Sequence, residues 1–493
     1  MKSVLNKKGS KNMFWIFSTI ISLFKHPLGW FTLILFAFVS MIAMNQYWQI
    51  AALFIVLLIL GVIFSAEKRA EERKKAEREK TFTDPEIIPL LKSKSGVIFG
   101  KKSGETIGKP ENSDGHIMVI GGVGSGKSSC VAIPSLLAWK SQVFAIDIKG
   151  ELYAQTKNKR RKIKVFAPMS ENSLGYNPFH LLDWTDNPAQ EARAIAHALI
   201  PIPAETKDTF WLESAQNMLT GAILHCYNLG FSFVETITKI QSTPIEQLIA
   251  EIKRGNTEAA YFINNFVGMD LKTLAGIYSE LSRHILLYIT DKKVRNCLSK
   301  DDCITPEDLE KGADVFIIIP EHLLTQWKNL LTLMISQFLT HFEQRPDLSA
   351  TPILFLLDEF ARLGKIAGIT DGLATLRSKK ISICIILQSL AQLDLIYGRD
   401  TRKIIFDICA YKAIFGATDT ETQEVFSKAV GTYDRPKPTN SKNYDRFGFK
   451  SGSSTSETTE EKRIIKPEDF ATLKDIVLLT PFGFFRVEKK PYF

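Results

Sequence analysis

Cysteine is scarce and scattered: Cys130, Cys226, Cys297, Cys303, Cys384 and Cys409 form no CxxC pair and have no His-paired spacing. That excludes a zinc ribbon or a disulfide framework and fits buried or idle thiols in a reducing compartment. Histidine is equally thin, with 8 in 493 residues; His180, His197 and His284 lack partners at metal-ligand spacing and read as packing residues. Aromatic residues do not alternate with the densest basic cluster, so no base-stacking platform is indicated. With 45% hydrophobic and 23% charged residues, the disordered, collagenous and disulfide-rich classes are excluded. The length fits about three domains.

The chain has a net charge of +9, which invites a nucleic-acid reading until the charge is located. Residues 1–80 hold 12 basic and 5 acidic side chains, a net of +7, which leaves +2 for everything else. The excess therefore reports membrane topology. Residues 1–65 contain three apolar runs, Met13–Phe24, Leu28–Met44 and Ile50–Phe64, flanked on both sides by lysine and arginine. Positive flanks at both ends predict two spans, about 28–44 and 48–65, with both termini in the cytoplasm and 13–24 in the interface or extending the first span. Tyr47 and Trp48 suit the aromatic belt between them. A cleaved signal peptide is disfavoured, because no small-x-small site precedes a polar mature start. Residues 66–94 begin with alternating charges on strong helix formers, a solvated helical stalk.

From about residue 95 the pattern changes to short apolar runs separated by helical stretches. His116–Ile120, Val143–Ile148, Lys164–Phe166, Val315–Ile319, Ile353–Leu357, Ile381–Leu387 and Lys412–Phe415 read as strands of a covered parallel sheet. Residues 183–312 show helical periods instead, for example Thr209–Asn228 and Leu271–Ile289, and carry a net charge of −6. The expected fold is α/β: a nucleotide-binding core (95–182 and 313–493) interrupted by an all-α domain (183–312), behind a two-helix membrane anchor. Residues 431–462, rich in Ser, Thr, Asn, Lys and Pro, are expected to be a mobile loop. Ile476–Leu479 and Phe484–Val487 are expected to form a terminal hairpin around Pro481-Phe482-Gly483, with no long acidic tail after it.

Gly121-Gly122-Val123-Gly124-Ser125-Gly126-Lys127-Ser128 matches G-x-x-x-x-G-K-[ST], follows an expected strand and opens an expected helix, Ser128–Trp139. Glycines let successive backbone N–H groups turn toward phosphates, and the helix N-terminus favours their charge. Lys127 would neutralise the β- and γ-phosphates of ATP and the Ser128 hydroxyl would bind Mg²⁺, with Ser129 completing the loop. Ile353–Leu357 ends in Asp358 and Glu359, the first suited to the Mg²⁺ shell and the second to a base or water-positioning role. From the residues alone, Gln388 reads as a satisfied loop amide or a γ-phosphate sensor. Arg377 reads as part of a solvated basic patch or as a group acting on a neighbouring subunit's nucleotide. Asn158–Lys164, with Lys159, Arg160, Arg161, Lys162 and Lys164, reads as a solvated loop or a phosphate-backbone contact.

Together these features resemble the TraG/TraD-like type IV secretion coupling proteins, conjugation ATPases of the FtsK/HerA group. The resemblance rests on the two spans, the phosphate loop, Asp147-Ile148-Lys149-Gly150-Glu151-Leu152 (where the family has D-P-K-G-E-L), Tyr176-Asn177-Pro178-Phe179, Phe210-Trp211, Leu357-Asp358-Glu359-Phe360 and Leu387-Gln388-Ser389. It implies a RecA-like core in a ring of six at the bacterial inner membrane, with ATP at subunit interfaces. It also implies that Gln388 senses the γ-phosphate and that Arg377 is an arginine finger in trans. The implied partners are relaxase-bound single-stranded DNA and/or effector proteins, type IV secretion channel proteins and the lipid bilayer. Two other functions remain open at this stage. One is a docking module for protein effectors in which nucleotide binding mainly drives assembly. The other is an FtsK-like chromosome translocase, disfavoured by the lack of a long linker and a winged-helix reader.

Overall fold

A nine-stranded sheet organises the chain, and its strand order decides where the functional residues meet. The computed structural model describes residues 65–66, 68–69, 88–203, 206–347, 351–444 and 450–493. The two expected spans, except for residue 65, and the 13–24 segment lie outside these residues, as does most of the expected stalk. No helix among the described residues is long and apolar enough to cross a membrane. Residues 84–493 cluster as one unit.

The strands are β1 (Val97–Lys102), β2 (Glu105–Lys109), β3 (Ile117–Ile120), β4 (Gln142–Asp147), β5 (Ile163–Phe166), β6 (Asp314–Ile318), β7 (Ile353–Leu357), β8 (Ile381–Leu387), β9 (Tyr411–Ile414), β10 (Thr432–Tyr444), β11 (Lys450–Arg463), β12 (Ile476–Thr480) and β13 (Gly483–Val487). The main sheet runs β13-β12-β9-β3-β8-β7-β4-β6-β5. From β9 to β5 every pairing is parallel, whereas β12 runs antiparallel to β9 and to β13. The near-continuous apolar runs of β3, β7 and β8 follow from this position, since each is buried along its whole length on both faces.

Strand alternation sends side chains to two separate cores. Met118, Phe144, Ile146, Phe355, Leu357, Ile383 and Ile385 face one layer, and Ile117, Val119, Val143, Ala145, Leu354, Leu356 and Ile386 face the other. The first layer is covered by the helix Leu324–Glu343 and by the helices that occupy the described residues between β5 and β6. The longest of these, Phe210–Asn228, buries Ala215, Met218, Leu219, Ala222, Ile223 and Cys226 at helical spacing. The second layer is covered by the helix that follows β3 and by the β1–β2 hairpin. No run of alternating apolar residues marks that hairpin in the sequence, and it was not expected.

Two other elements differ from expectation. Residues 431–462 are expected as a mobile loop; instead β10 and β11 form a two-stranded antiparallel ribbon, paired from Thr432–Arg463 to Tyr444–Lys450 and joined to no other strand among the described residues. The sequence there is rich in Ser, Thr, Asn and Lys, and ribbon pairing satisfies its backbone. Leu271–Ile289 divides into Leu271–Ile285 and Leu287–Thr290.

Candidate active site

Gly121 leaves β3 where no side chain fits: a Cβ there would lie 2.6 Å from Ser125 Oγ and 2.7 Å from Phe415 Cβ. Gly124 and Gly126 take left-handed backbone, at φ +73° and +97°, which strains any other residue. The loop is held by Gly121 N–H to Leu387 O (3.2 Å), Ser125 N–H to Gly122 O (3.3 Å) and Ser129 Oγ to Gly126 O (3.3 Å). Val123 stands exposed at its tip, while Ser125 Oγ is buried without a hydrogen-bond partner among the described residues. Lys127 is 7% exposed, and its ammonium donates to Gly121 O at 2.5 Å and Gly122 O at 3.0 Å. A buried cation under a glycine loop that opens a helix is an anion cradle by its chemistry.

The helix behind the loop is less regular than expected. Instead of running from Ser128 to Trp139, it has a wide first turn, Ser128–Ala132, in which Ile133 N–H bonds to Ser128 O; an α-helix then spans Ile133–Ala138. Pro134 explains the change, because it brings no N–H to the ladder.

The carboxylates arrive from adjacent strands. The β4–β7 register pairs Ile146 with Leu357, so Asp147 and Asp358 leave neighbouring strands side by side. Asp358 is 5% exposed and its carboxyl is pushed up to about 6, first by burial, then by Glu359, with Asp147 adding to the rise. Glu359 N–H donates to Asp358 Oδ1 at 3.0 Å and pulls the other way. Glu359 itself sits in left-handed backbone at φ +48°, and its Oε2 accepts from Gln388 Nε2 at 3.1 Å. Burial lowers the Lys127 ammonium, while Glu359 and Asp358 oppose that shift, so cation and carboxylates share one electrostatic basin. Lys127, Asp358, Glu359 and Gln388 are thus brought together.

Arg377 is not in that basin. It lies exposed in the turn between the helix Ile369–Thr375 and β8, at the N-terminal ends of the strands. Asp358 and Gln388 follow the C-terminal ends of β7 and β8, so a strand length of roughly 23 Å separates the two ends. The Arg377 guanidinium makes no ion pair among the described residues, although its neighbours are tied down: Lys379 to Asp347 (2.8 Å) and Lys380 to Asp114 (3.3 Å).

Asp147 is a site residue that sequence reasoning missed, having registered it only as part of a family-like run. It is 1% exposed; Oδ2 accepts from Tyr153 N–H at 2.8 Å, and Oδ1 has no partner among the described residues. Its signal was legible as an acid directly after an apolar strand, the same pattern that marked Asp358. The basic cluster resolves differently. Arg160 is buried against Asp314 (2.5 Å) and donates to the carbonyls of Leu136, Trp139 and Ser141, and Lys164 pairs with Asp308 at 3.0 Å. Only Lys159, Arg161 and Lys162 of the cluster stand exposed.

A parallel sheet with a glycine loop after β3 and acids after β4 and β7 of the same sheet defines a phosphate-loop α/β protein. The chain belongs to the type IV secretory system conjugative DNA transfer family, whose model matches residues 67–493. It is 27% identical over 371 residues to protein VirD4 of Agrobacterium fabrum, covering 69% of this chain and 53% of that one. It is 23% identical over 397 residues to the conjugal transfer protein TraG of Escherichia coli, covering 70% of this chain and 61% of that one. The chain spans about half the length of the VirD4 relatives it matches. Its fold is similar to that of the plasmid coupling protein TrwB solved with ADP and Mg²⁺, at a TM-score of 0.66 and 17% identity, over 84% of this chain and 93% of that one.

Proposed function

We propose that the protein is a membrane-anchored ATPase, working as a ring of six, that couples substrates to a type IV secretion channel and drives DNA transfer. The observation that carries this reading is the shared basin of Lys127, Asp358 and Glu359 beneath the glycine loop, in a chain of the conjugative DNA transfer family. The acidic stretch 183–312, net −6, with Trp184 and Tyr261 exposed on it, suits reception of relaxase-bound single-stranded DNA or effector proteins. The apolar runs before residue 65 fit the bacterial inner membrane.

The backbone amides of Gly121–Ser129 cradle the phosphates of ATP, and Lys127 exchanges its two carbonyl partners for phosphate oxygens. The donor set fits Mg²⁺, a hard cation that keeps most of its water: the Ser128 hydroxyl, the buried Asp358 carboxyl and Asp147 Oδ1, which has no partner among the described residues, are all oxygens. Held by these oxygens, Mg²⁺ would supply positive charge against the phosphates. Glu359 orients the attacking water and accepts its proton, and Gln388 holds the Glu359 carboxylate at the angle this needs. Arg377, remote from its own site, serves the site of the next subunit.

ATP turnover by the full-length chain in detergent tests the reading. Lys127→Ala is expected to lower turnover by about a hundredfold or more. Normal turnover in that variant overturns the assignment.

A further inference from the structure

The wide first turn of the phosphate-loop helix creates a problem that the far end of the chain solves. The Ser129 carbonyl has two potential donors in its own helix. Ile133 N–H, the α partner, is engaged by Ser128 O, and residue 134, the partner in a wide turn, is a proline with no N–H. Ser129 is half-buried, and a carbonyl left over from the helix ladder there calls for a partner from elsewhere. Tyr492 N–H supplies it, at 3.0 Å.

The segment that brings Tyr492 there is pinned along its length. Lys101 and Glu488 exchange backbone bonds, Lys101 N–H to Glu488 O at 3.1 Å and Glu488 N–H to Lys101 O at 2.7 Å. Gly100 permits this approach, because a Cβ there would lie 2.3 Å from Glu488 O. Lys489 Nζ then donates to Phe415 O at 3.4 Å and lies 5.4 Å from the centre of the Phe415 ring, the same residue that crowds Gly121. Tyr492 packs partly buried against the core layer that holds Cys130, Val131 and Ile133. Behind the same helix, Ile98 N–H of β1 bonds to Ser135 Oγ at 2.9 Å.

We infer that residues 488–492 are a positioning strap for the phosphate loop, in which the Tyr492 amide completes the turn that Pro134 breaks and so fixes Ser128 and Ser129. The strap acts through the backbone and touches no reacting atom. Its effect on nucleotide binding rests on the function proposed above; its effect on the turn does not.

Two measurements on the full-length chain decide it, using Tyr492→Pro, which removes the N–H, and Tyr492→Ala, which keeps it. The first is amide exchange over residues 128–133 without nucleotide, and the second is affinity for MgADP. Tyr492→Pro is expected to raise exchange in that turn and to weaken MgADP binding, each about tenfold, the size expected for the loss of one backbone hydrogen bond. Tyr492→Ala is expected to stay within about threefold of wild type on both. Adding Pro134→Ala to Tyr492→Pro returns an N–H to the turn and is expected to restore both to within about threefold, which a merely destabilised fold would not do. Unchanged exchange in Tyr492→Pro overturns the strap, and so does equal loss in both Tyr492 variants with no rescue by Pro134→Ala. A wild-type chain that binds no nucleotide overturns the proposed function, while the exchange comparison still decides the strap.

Discussion

Gln388 Nε2 donates to Glu359 Oε2 at 3.1 Å, joining the end of β8 to the residue after the buried Asp358. Glu359 sits at φ +48°, a strained position for a residue with a side chain, so the hydrogen bond holds a carboxylate that the backbone alone does not settle. Gln388→Ala is expected to lower ATP turnover by roughly 10- to 100-fold with nucleotide affinity changed by less than about threefold. Steady-state kinetics beside equilibrium MgADP binding checks this split. Equal losses in both would place Gln388 in ground-state binding instead.

Arg377 and the basin of its own chain lie at opposite ends of β8. In a head-to-tail ring this arrangement lets one subunit complete its neighbour's site. Lys127→Ala and Arg377→Ala should each be inactive alone. Mixed at equal amounts, they should regain about a quarter of wild-type turnover, because a random ring joins an intact loop to an intact arginine at one interface in four. No recovery in mixed rings would mean that Arg377 does not act across the interface.

Arg160 is tied to Asp314 at 2.5 Å and to three carbonyls near the end of the phosphate-loop helix. Asp314→Ala strands a buried guanidinium and should cost about 3–5 kcal/mol of stability. Arg160→Ala should likewise lower the denaturation midpoint but leave DNA affinity and its salt dependence unchanged. Arg161→Ala and Lys162→Ala, at exposed positions, are the variants expected to weaken any phosphate-backbone contact. Chemical denaturation and salt titration of DNA binding separate the two outcomes.

His116 is fully buried, and its Nδ1 accepts from Ile383 N–H at 3.0 Å. Burial, reinforced by Lys109 and Arg377 and opposed by the Leu373 carbonyl, lowers it from 6.5 to about 4. Between those values the unfolded chain binds the proton and the folded chain does not. Stability is therefore lost as pH falls from about 6.5 toward 4, by up to about 3 kcal/mol from this group. His116→Gln, which keeps an acceptor, is expected to flatten that slope in urea titrations at pH 7 and pH 5. An unchanged slope would assign the acid sensitivity to other groups.

Much of the site was legible because its residues stand beside apolar strands. Lys127, Asp358 and Glu359 are readable from the runs that precede them, whereas Gln388 stays ambiguous at the end of β8 and is singled out only by the family resemblance. Asp147 follows the same rule, but in the sequence it stands inside a family-like run, Asp147–Leu152, and its strand-end position is masked by that run. The wide turn at Ser128–Ala132 needed Pro134 to be weighed against helix propensity. The β1–β2 hairpin and the β10–β11 ribbon stayed hidden for another reason. Their stability comes from pairing partners, and neither carries the alternation of a strand with one buried face. The burial of Arg160 within a run of basic residues depends on Asp314, far along the chain, and no local pattern reports it.

The strand order also governs how the chain comes to be folded. Ile117 in β3 pairs with Cys384 in β8 and Tyr411 in β9, and β4 waits for β6 and β7. During synthesis β3 and its glycine loop therefore emerge long before any strand that flanks them, whereas the intervening helices can form from local contacts as they appear. The slow step is then closure of the sheet centre, when β7 and β8 arrive between β4 and β3. The nucleotide basin can exist only after that closure. A nascent chain halted before residue 381 should hold folded helices and an exposed, aggregation-prone β3, which makes the sheet centre the place where chaperone dependence concentrates.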